Sequence, residues 1–280
     1  MIDLATSLLF TAVFCTLTWT ASGSSIAIAA AILAGLYFHR LEPIALASLF
    51  SLAFALWLAT RPKLPNWAKG MIHVGALLLT LTLFQHLAPG FHNRLVFDRV
   101  RFSSDAVPFT MYLNFDKTLA GLLICFFLIR PWEKRLSPIH WKIALMTASL
   151  LIVLMAALAP MSGYVRLDLK WPALAWLWAM NNFFFVCLAE EALFRGYIQG
   201  GLQKLVPERF NWAPVMIAAL LFGAAHFRGG AGYIAFATLA GLFYGYSYLK
   251  TDRLTVPMLV HFSLNLTHFA FFTYPALAPP

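Results

Sequence analysis

The sequence predicts an all-α fold: a polytopic transmembrane helical bundle of about 8–10 helices. Three observations carry this. Hydrophobic residues make up 61% of the chain and charged residues only 11%. Soluble domains carry about 25% charge, so this chain has too few charges to coat a water-facing surface. The mean hydropathy is +0.76, and the apolar residues gather in runs close to the ~20 residues that a helix needs to cross a bilayer.

Ten runs qualify, near 4–20, 24–39, 43–60, 70–88, 118–130, 141–160, 172–204, 212–227, 231–249 and 254–273. The second, fifth and eighth are short, so the count could fall to eight or nine. The first follows Met1, Ile2 and Asp3 with no basic segment and no convincing cleavage site. It is expected to be a retained helix rather than a signal peptide. One long polar connection, 91–117, is too mixed to span and is expected to hold a short interfacial helix or a hairpin.

The net charge of +9 is explained by topology. Short loops at alternate ends of the runs hold Arg61, Lys63 and Lys69, then Arg130, Lys134, Arg135 and Lys142, then Lys204 and Arg209, then Lys250 and Arg253. Dense positive charge in short loops marks the cytoplasmic side. With ten helices, both termini are expected outside. No basic–aromatic patch is present, so nucleic acid is not an expected partner. Cys15, Cys125 and Cys187 all lie in apolar runs and read as buried hydrophobes, with no disulfide framework.

The polar residues inside the apolar runs carry the chemistry. In 188-LAEEALFRG-196, Glu190 and Glu191 stand side by side. Each charge at membrane depth costs about 2.5–3.5 kcal/mol even on a lenient scale. Glu191 and Arg195 are i and i+4 and can pair on one helix face. Glu190 points about 100° away and has no partner on its own helix, so it must find hydrogen bonds elsewhere or take up a proton. His226 closes 222-FGAAH-226, and His261 and Asn265 share a face in 261-HFSLN-265. Intramembrane ionisable residues of this kind mark functional sites. Depth makes a further demand. Glu190 and His226 share a level only if the seventh helix runs on through 172–204, with Gly196, Gly200 and Gly201 allowing close neighbours or a bend.

The combination EExxxR (Glu190, Glu191, Arg195), FxxxH (Phe222, His226) and HxxxN (His261, Asn265) resembles the CPBP intramembrane proteases, the group of Rce1-type CAAX endoproteases and their bacterial relatives. The resemblance covers roughly 172–270. It implies a core over 117–280, preceded by N-terminal transmembrane helices and the polar loop in 1–116, which match no known pattern. It also implies roles. Glu190 would be the general base, His226 would help to hold the water, and His261 and Asn265 would form the oxyanion site. Glu191 and Arg195 would be structural support. The expected substrate is a protein or peptide at the membrane, with a C-terminal or leader peptide as candidate. The expected location is a bacterial inner (cytoplasmic) membrane.

Other readings stand beside this one. One glutamate and two histidines suit Zn²⁺, but the HExxH signature is absent, and no metal or cofactor is expected. GxGD and GxSxG are absent as well. A non-catalytic scaffold or bacteriocin-immunity-type protein of the same fold is one rival, and a proton-coupled transporter another. His73, His86 and His268 read as core histidines, His268 with the option of supporting His261. Asn182 reads as a packing residue or as a hydrogen-bonding group across helices. The stretch 241-GLFYG-245 reads as a small-residue packing face.

Overall fold

A computed structural model describes residues 3–18, 20–131 and 135–278. Trp19, in the first apolar run, and Lys134, in the second basic loop, lie outside the described residues. Among the described residues the architecture is helical, with one two-stranded hairpin. The helices are α1 (Leu4–Thr18), α2 (Ala21–Tyr37), α3 (Ala45–Ala59), α4 (Asn66–Phe84), α5 (Phe115–Ile124), α6 (Pro138–Met161), α7 (Ala175–Gln203), α8 (Trp212–Ala225), α9 (Gly230–Thr251) and α10 (Thr255–Phe271). A π-helical turn, Cys125–Ile129, extends α5. Each helix answers to one of the ten apolar runs.

The protein is an integral membrane protein. α4, α6 and α7 are each long and apolar enough to cross a membrane, and Glu208–Ala225 with Phe227–Thr251 passes the same test as a pair bent by 57°. α1, α2 and α3 are shorter apolar helices. α6 turns Ile139, Leu145, Met146, Leu150 and Val153 outward. An apolar face of that extent suits lipid and would be a liability in water. Its start is specified locally. Pro138 sits at the first helical position, and Ser137 and His140 cap each other, with the Ser137 amide donating to His140 Nδ1 at 2.9 Å.

The chain divides into two compact units. The first comprises Met1–Arg94, Leu113–Arg135 and Phe184–Gly196, and the second Leu95–Tyr112, Leu136–Phe183 and Tyr197–Pro280. In the first, α5 is the central rod: Phe115, Thr118, Leu119, Ala120, Leu122 and Ile124 are all fully buried. It comes so close to the middle of α7 that a Cβ on Gly121 would stand 2.7 Å from Ala189 Cα. Gly196 makes a similar approach, since its Cβ would meet the Ile129 side chain at 2.0 Å. Phe10 of α1 stacks on Phe185 with ring centroids 4.5 Å apart. Asp3 pairs with Arg40 at 2.7 Å and with Arg94 at 3.2 Å, which ties the start of α1 to the segments after α2 and α4.

In the second unit, α8 and α9 pack face to face. A Cβ on Gly241 would lie 3.1 Å from Ala219 Cα, and one on Gly245 would lie 2.9 Å from both Gln199 and Val215. The 241–245 stretch is thus the packing face its spacing predicts. The polar connection 91–117 forms a hairpin, β1 (Arg94–Val100) with β2 (Phe109–Leu113). Its aromatics Phe97, Phe102 and Phe109 cluster with Tyr274 and Phe269, and Phe269 stacks on Trp178 at 4.1 Å.

Two irregular strips complete this unit. Thr273 and Leu277 donate backbone bonds to Arg166 and Tyr164, while Asp168 and Lys170 donate to Phe271 and Ala270. Val107 and Ala278 close the set by bonding Ala276 and Asp105. Backbone outside helices thus finds partners, as it must near a bilayer. The Ser103 hydroxyl, and after it the Lys170 ammonium, outweigh burial and hold the Asp168 carboxyl below its ordinary value. That contribution to stability is present above the ordinary carboxylate pKa and is lost as pH falls through the lowered one.

The α8–α9 crossing gives a direct test. A Cβ on Gly223 would lie 1.9 Å from Thr238 Oγ1 and 2.9 Å from the Ile234 carbonyl oxygen. Gly223→Ala is expected to cost about 1–3 kcal/mol, read as a lowered midpoint of thermal unfolding in detergent. Gly201, whose Cβ would meet nothing within 4 Å, is the control: Gly201→Ala should leave the midpoint at or above that of the parent.

Candidate active site

The acidic residues lie on α7, in the first unit. Glu190 and Glu191 belong to a short α-helical stretch, Leu188–Glu191, flanked by π-helical segments over Asn182–Cys187 and Ala192–Gln199. Such π insertions recur where a helix carries function. Glu191 and Arg195 are both fully buried, with Arg195 Nε 3.2 Å from Glu191 Oε2. This is the i, i+4 pair that the spacing predicts.

Glu190 is also buried, and it finds a partner off its own helix: Lys117 Nζ lies 2.6 Å from Glu190 Oε1. The two side chains are only 15% and 11% exposed. Lys117, the last residue of the polar connection 91–117, occupies the first turn of α5. The signal was there in 116-DKTLAG-121, a charged pair opening an apolar run with a glycine one turn on. It is missed because loop charge is read for topology rather than for contacts. His86 is likewise not a core residue. It is 44% exposed, and its Nδ1 lies 2.7 Å from Asp116 Oδ2.

The imidazoles lie in the second unit. His226 caps the C-terminal end of α8, and its Nδ1 lies 2.7 Å from the Phe222 carbonyl oxygen. A carbonyl only accepts, so Nδ1 carries the hydrogen. In the neutral ring this leaves Nε2 as an acceptor. His261 is buried in α10 and stacks on Tyr244 with centroids 4.5 Å apart and planes 16° apart. The Phe222 ring is 4.7 Å from that of His226 and 5.7 Å from that of His261, so it separates and orients both. Tyr233 meets His226 edge-on at 5.2 Å.

Asn265 donates from Nδ2 to Asn182 Oδ1 at 3.2 Å, the bond across helices expected of Asn182. His226, His261 and Asn265 come together on the wall of one cavity of about 110 Å³. Tyr164, Tyr233 and Tyr244 add hydroxyl-bearing rings, and Met155, Ala156 and Ala237 add apolar wall. His268 lines it too, with Nε2 3.2 Å from the Thr273 carbonyl. The tyrosines were not anticipated, since an aromatic ring in an apolar run carries no sequence mark of what it stacks on. Such a cavity can admit a small side chain or a few waters, and fixed donors in a dry site bind developing negative charge strongly. Among the described residues, no three His, Cys, Asp or Glu side chains gather closely enough to hold a metal ion.

The buried pair on α7 yields a stability test. Glu191→Ala would strand the Arg195 guanidinium in the interior, at a cost of about 3–5 kcal/mol. A large fall in the thermal midpoint of the purified protein is the expected outcome, and Glu191→Ala with Arg195→Leu should recover part of it.

Residues 171–267 match the family model described as type II CAAX prenyl endopeptidase Rce1-like. No curated protein and no solved structure matches the chain. The matched region begins just before α7 and ends within α10, so it contains Glu190, Glu191, Arg195, His226, His261 and Asn265. α1–α6, the hairpin and Lys117 lie outside it. Over residues 171–267, about a third of its length, the chain is similar to the Rce1-like endopeptidase family.

Proposed function

We propose that the protein is an intramembrane, glutamate-dependent endopeptidase that hydrolyses a peptide bond in a membrane-associated protein or in a C-terminal or leader peptide. The observation that carries this reading is the cavity on which His226, His261 and Asn265 converge, inside the region that matches an endopeptidase family. The core is assigned to 117–280. The bacterial inner membrane is the expected setting.

In this mechanism Glu190 takes a proton from water, while Nε2 of His226 accepts a hydrogen bond from the same water and holds it. The oxygen attacks the scissile carbonyl carbon. The carbonyl π electrons move to oxygen, and the resulting oxyanion accepts hydrogen bonds from a ring N–H of His261 and from Asn265 Nδ2. The C–N bond then breaks, and the proton held by Glu190 passes to the leaving amine. The Asn182 carbonyl, by accepting from one Nδ2 hydrogen, fixes the amide plane and leaves the second hydrogen for the oxyanion. The Phe222 carbonyl keeps His226 in the tautomer this role requires.

The test is cleavage of a membrane-tethered, internally quenched peptide library by the protein in vesicles. Glu190→Gln, whose amide oxygen can still accept from Lys117, is expected to abolish turnover while the protein still folds, with a melting midpoint lowered by the loss of the ion pair. His261→Ala and Asn265→Ala are each expected to lower kcat by about 10²–10³ with KM little changed. Unchanged turnover in Glu190→Gln would overturn the glutamate mechanism. PH-dependent proton flux that vanishes in Glu190→Gln, without peptide cleavage by the parent, would identify a transporter.

A further inference from the structure

We propose that Lys117 is a positioning residue for Glu190: its ammonium holds the carboxylate in place for base catalysis. This rests on the reading of Glu190 as general base. The distance is short, 2.6 Å from Nζ to Oε1, and both side chains are largely shielded from water. Charge-assisted bonds of this kind fix geometry more firmly than neutral ones.

The surroundings of Lys117 are built to hold it. The start of α5 is locked by side chains on both sides. The Phe115 amide donates to Asn93 Oδ1 at 2.8 Å, and Asn93 Nδ2 donates to Asp116 Oδ2 at 3.0 Å. Asp116, which is buried, also accepts from the Lys117 amide at 2.8 Å and meets His86 at 2.7 Å. One turn further on, Gly121 lets α5 close onto Ala189, the residue before Glu190. The Lys117 ammonium lies 5.3 Å from the centroid of the Phe84 ring, on the negative face of which a cation is stabilised. Lys117 thus reaches Glu190 from a fixed origin and over a fixed helix separation. It lies outside the matched family region, so this chain supplies the partner from its own α5.

A purely structural role would be to balance the buried charge of Glu190, and the two roles part experimentally. Lys117→Met, Lys117→Arg and Glu190→Gln are compared in vesicles on the same tethered peptide library. Lys117→Met should lower the melting midpoint, because it leaves the buried Glu190 carboxylate without its cation, and in the folded protein it should keep the parent's KM and lose kcat on the order of 100-fold, the scale of a roughly 1 Å misplacement of a reacting group. Lys117→Arg, which keeps the cation, should return to within about tenfold of the parent. A kcat for Lys117→Met within about twofold of the parent, with Glu190→Gln inactive, overturns the inference and leaves the base role of Glu190 standing. Lys117→Arg as poor as Lys117→Met also overturns it. Full turnover in Glu190→Gln removes the mechanism itself. If Lys117→Met does not fold, Lys117→Gln replaces it with the same expectation. If both fail while Lys117→Met with Glu190→Gln folds, Lys117 only balances charge and the positioning role falls.

Discussion

The structure depends on the neutralisation of charge inside apolar helices. Two adjacent carboxylates on α7 are buried, and each has a cation of its own: Arg195 for Glu191 and Lys117 for Glu190. Removing one member of such a pair leaves a desolvated charge, which costs more than the pair itself contributes. The two pairs differ in reach. Glu191–Arg195 is made within one helix, so it stabilises α7 wherever that helix sits. Glu190–Lys117 joins two helices far apart in sequence, and it requires α5 and α7 to lie close. Gly121 provides that closeness.

The second unit solves a different problem, that of orienting imidazoles and an amide. It does so with aromatic planes and backbone carbonyls. Phe222 contributes both, its ring to the two histidines and its carbonyl to His226 Nδ1. Tyr244 lies flat on His261, and Asn182 engages Asn265. Rings and amides have few rotatable bonds, so their orientation is held at little entropic cost. Packing at Gly241 and Gly245 sets the position of α9, and thereby of Tyr244.

Much of this was legible from the residues. Ten apolar runs became ten helices because apolarity over some 20 residues in a bilayer leaves the helix as the only way to satisfy the backbone. The long α7 was legible from a depth argument about Glu190 and His226. The motif residues announced themselves because polar atoms in apolar runs are costly and therefore informative. Lys117 was not legible in the same way, because it stands at the boundary between loop and helix, where a cation is cheap. For 91–117 the residues permit a hairpin or a short interfacial helix, since Arg94–Val100 mixes charged and apolar residues without a clean alternation. The tyrosines of the cavity were hidden for the opposite reason: in so aromatic a chain, one more ring in an apolar run is unremarked.

The end of α10 has a consequence for which parts of the chain are free to drift. The residues just after it, and its last turn, are stitched to 164–170 by main-chain hydrogen bonds. Such bonds fix how far α10 extends along its axis, and with it the level of His261 and Asn265, while placing almost no demand on side-chain identity. Leu167 and Leu169 in that strip are 70% and 68% exposed. Sequence there can wander under lipid or solvent pressure alone, and the donors on α10 will hold their height as long as the strip keeps its length and avoids proline.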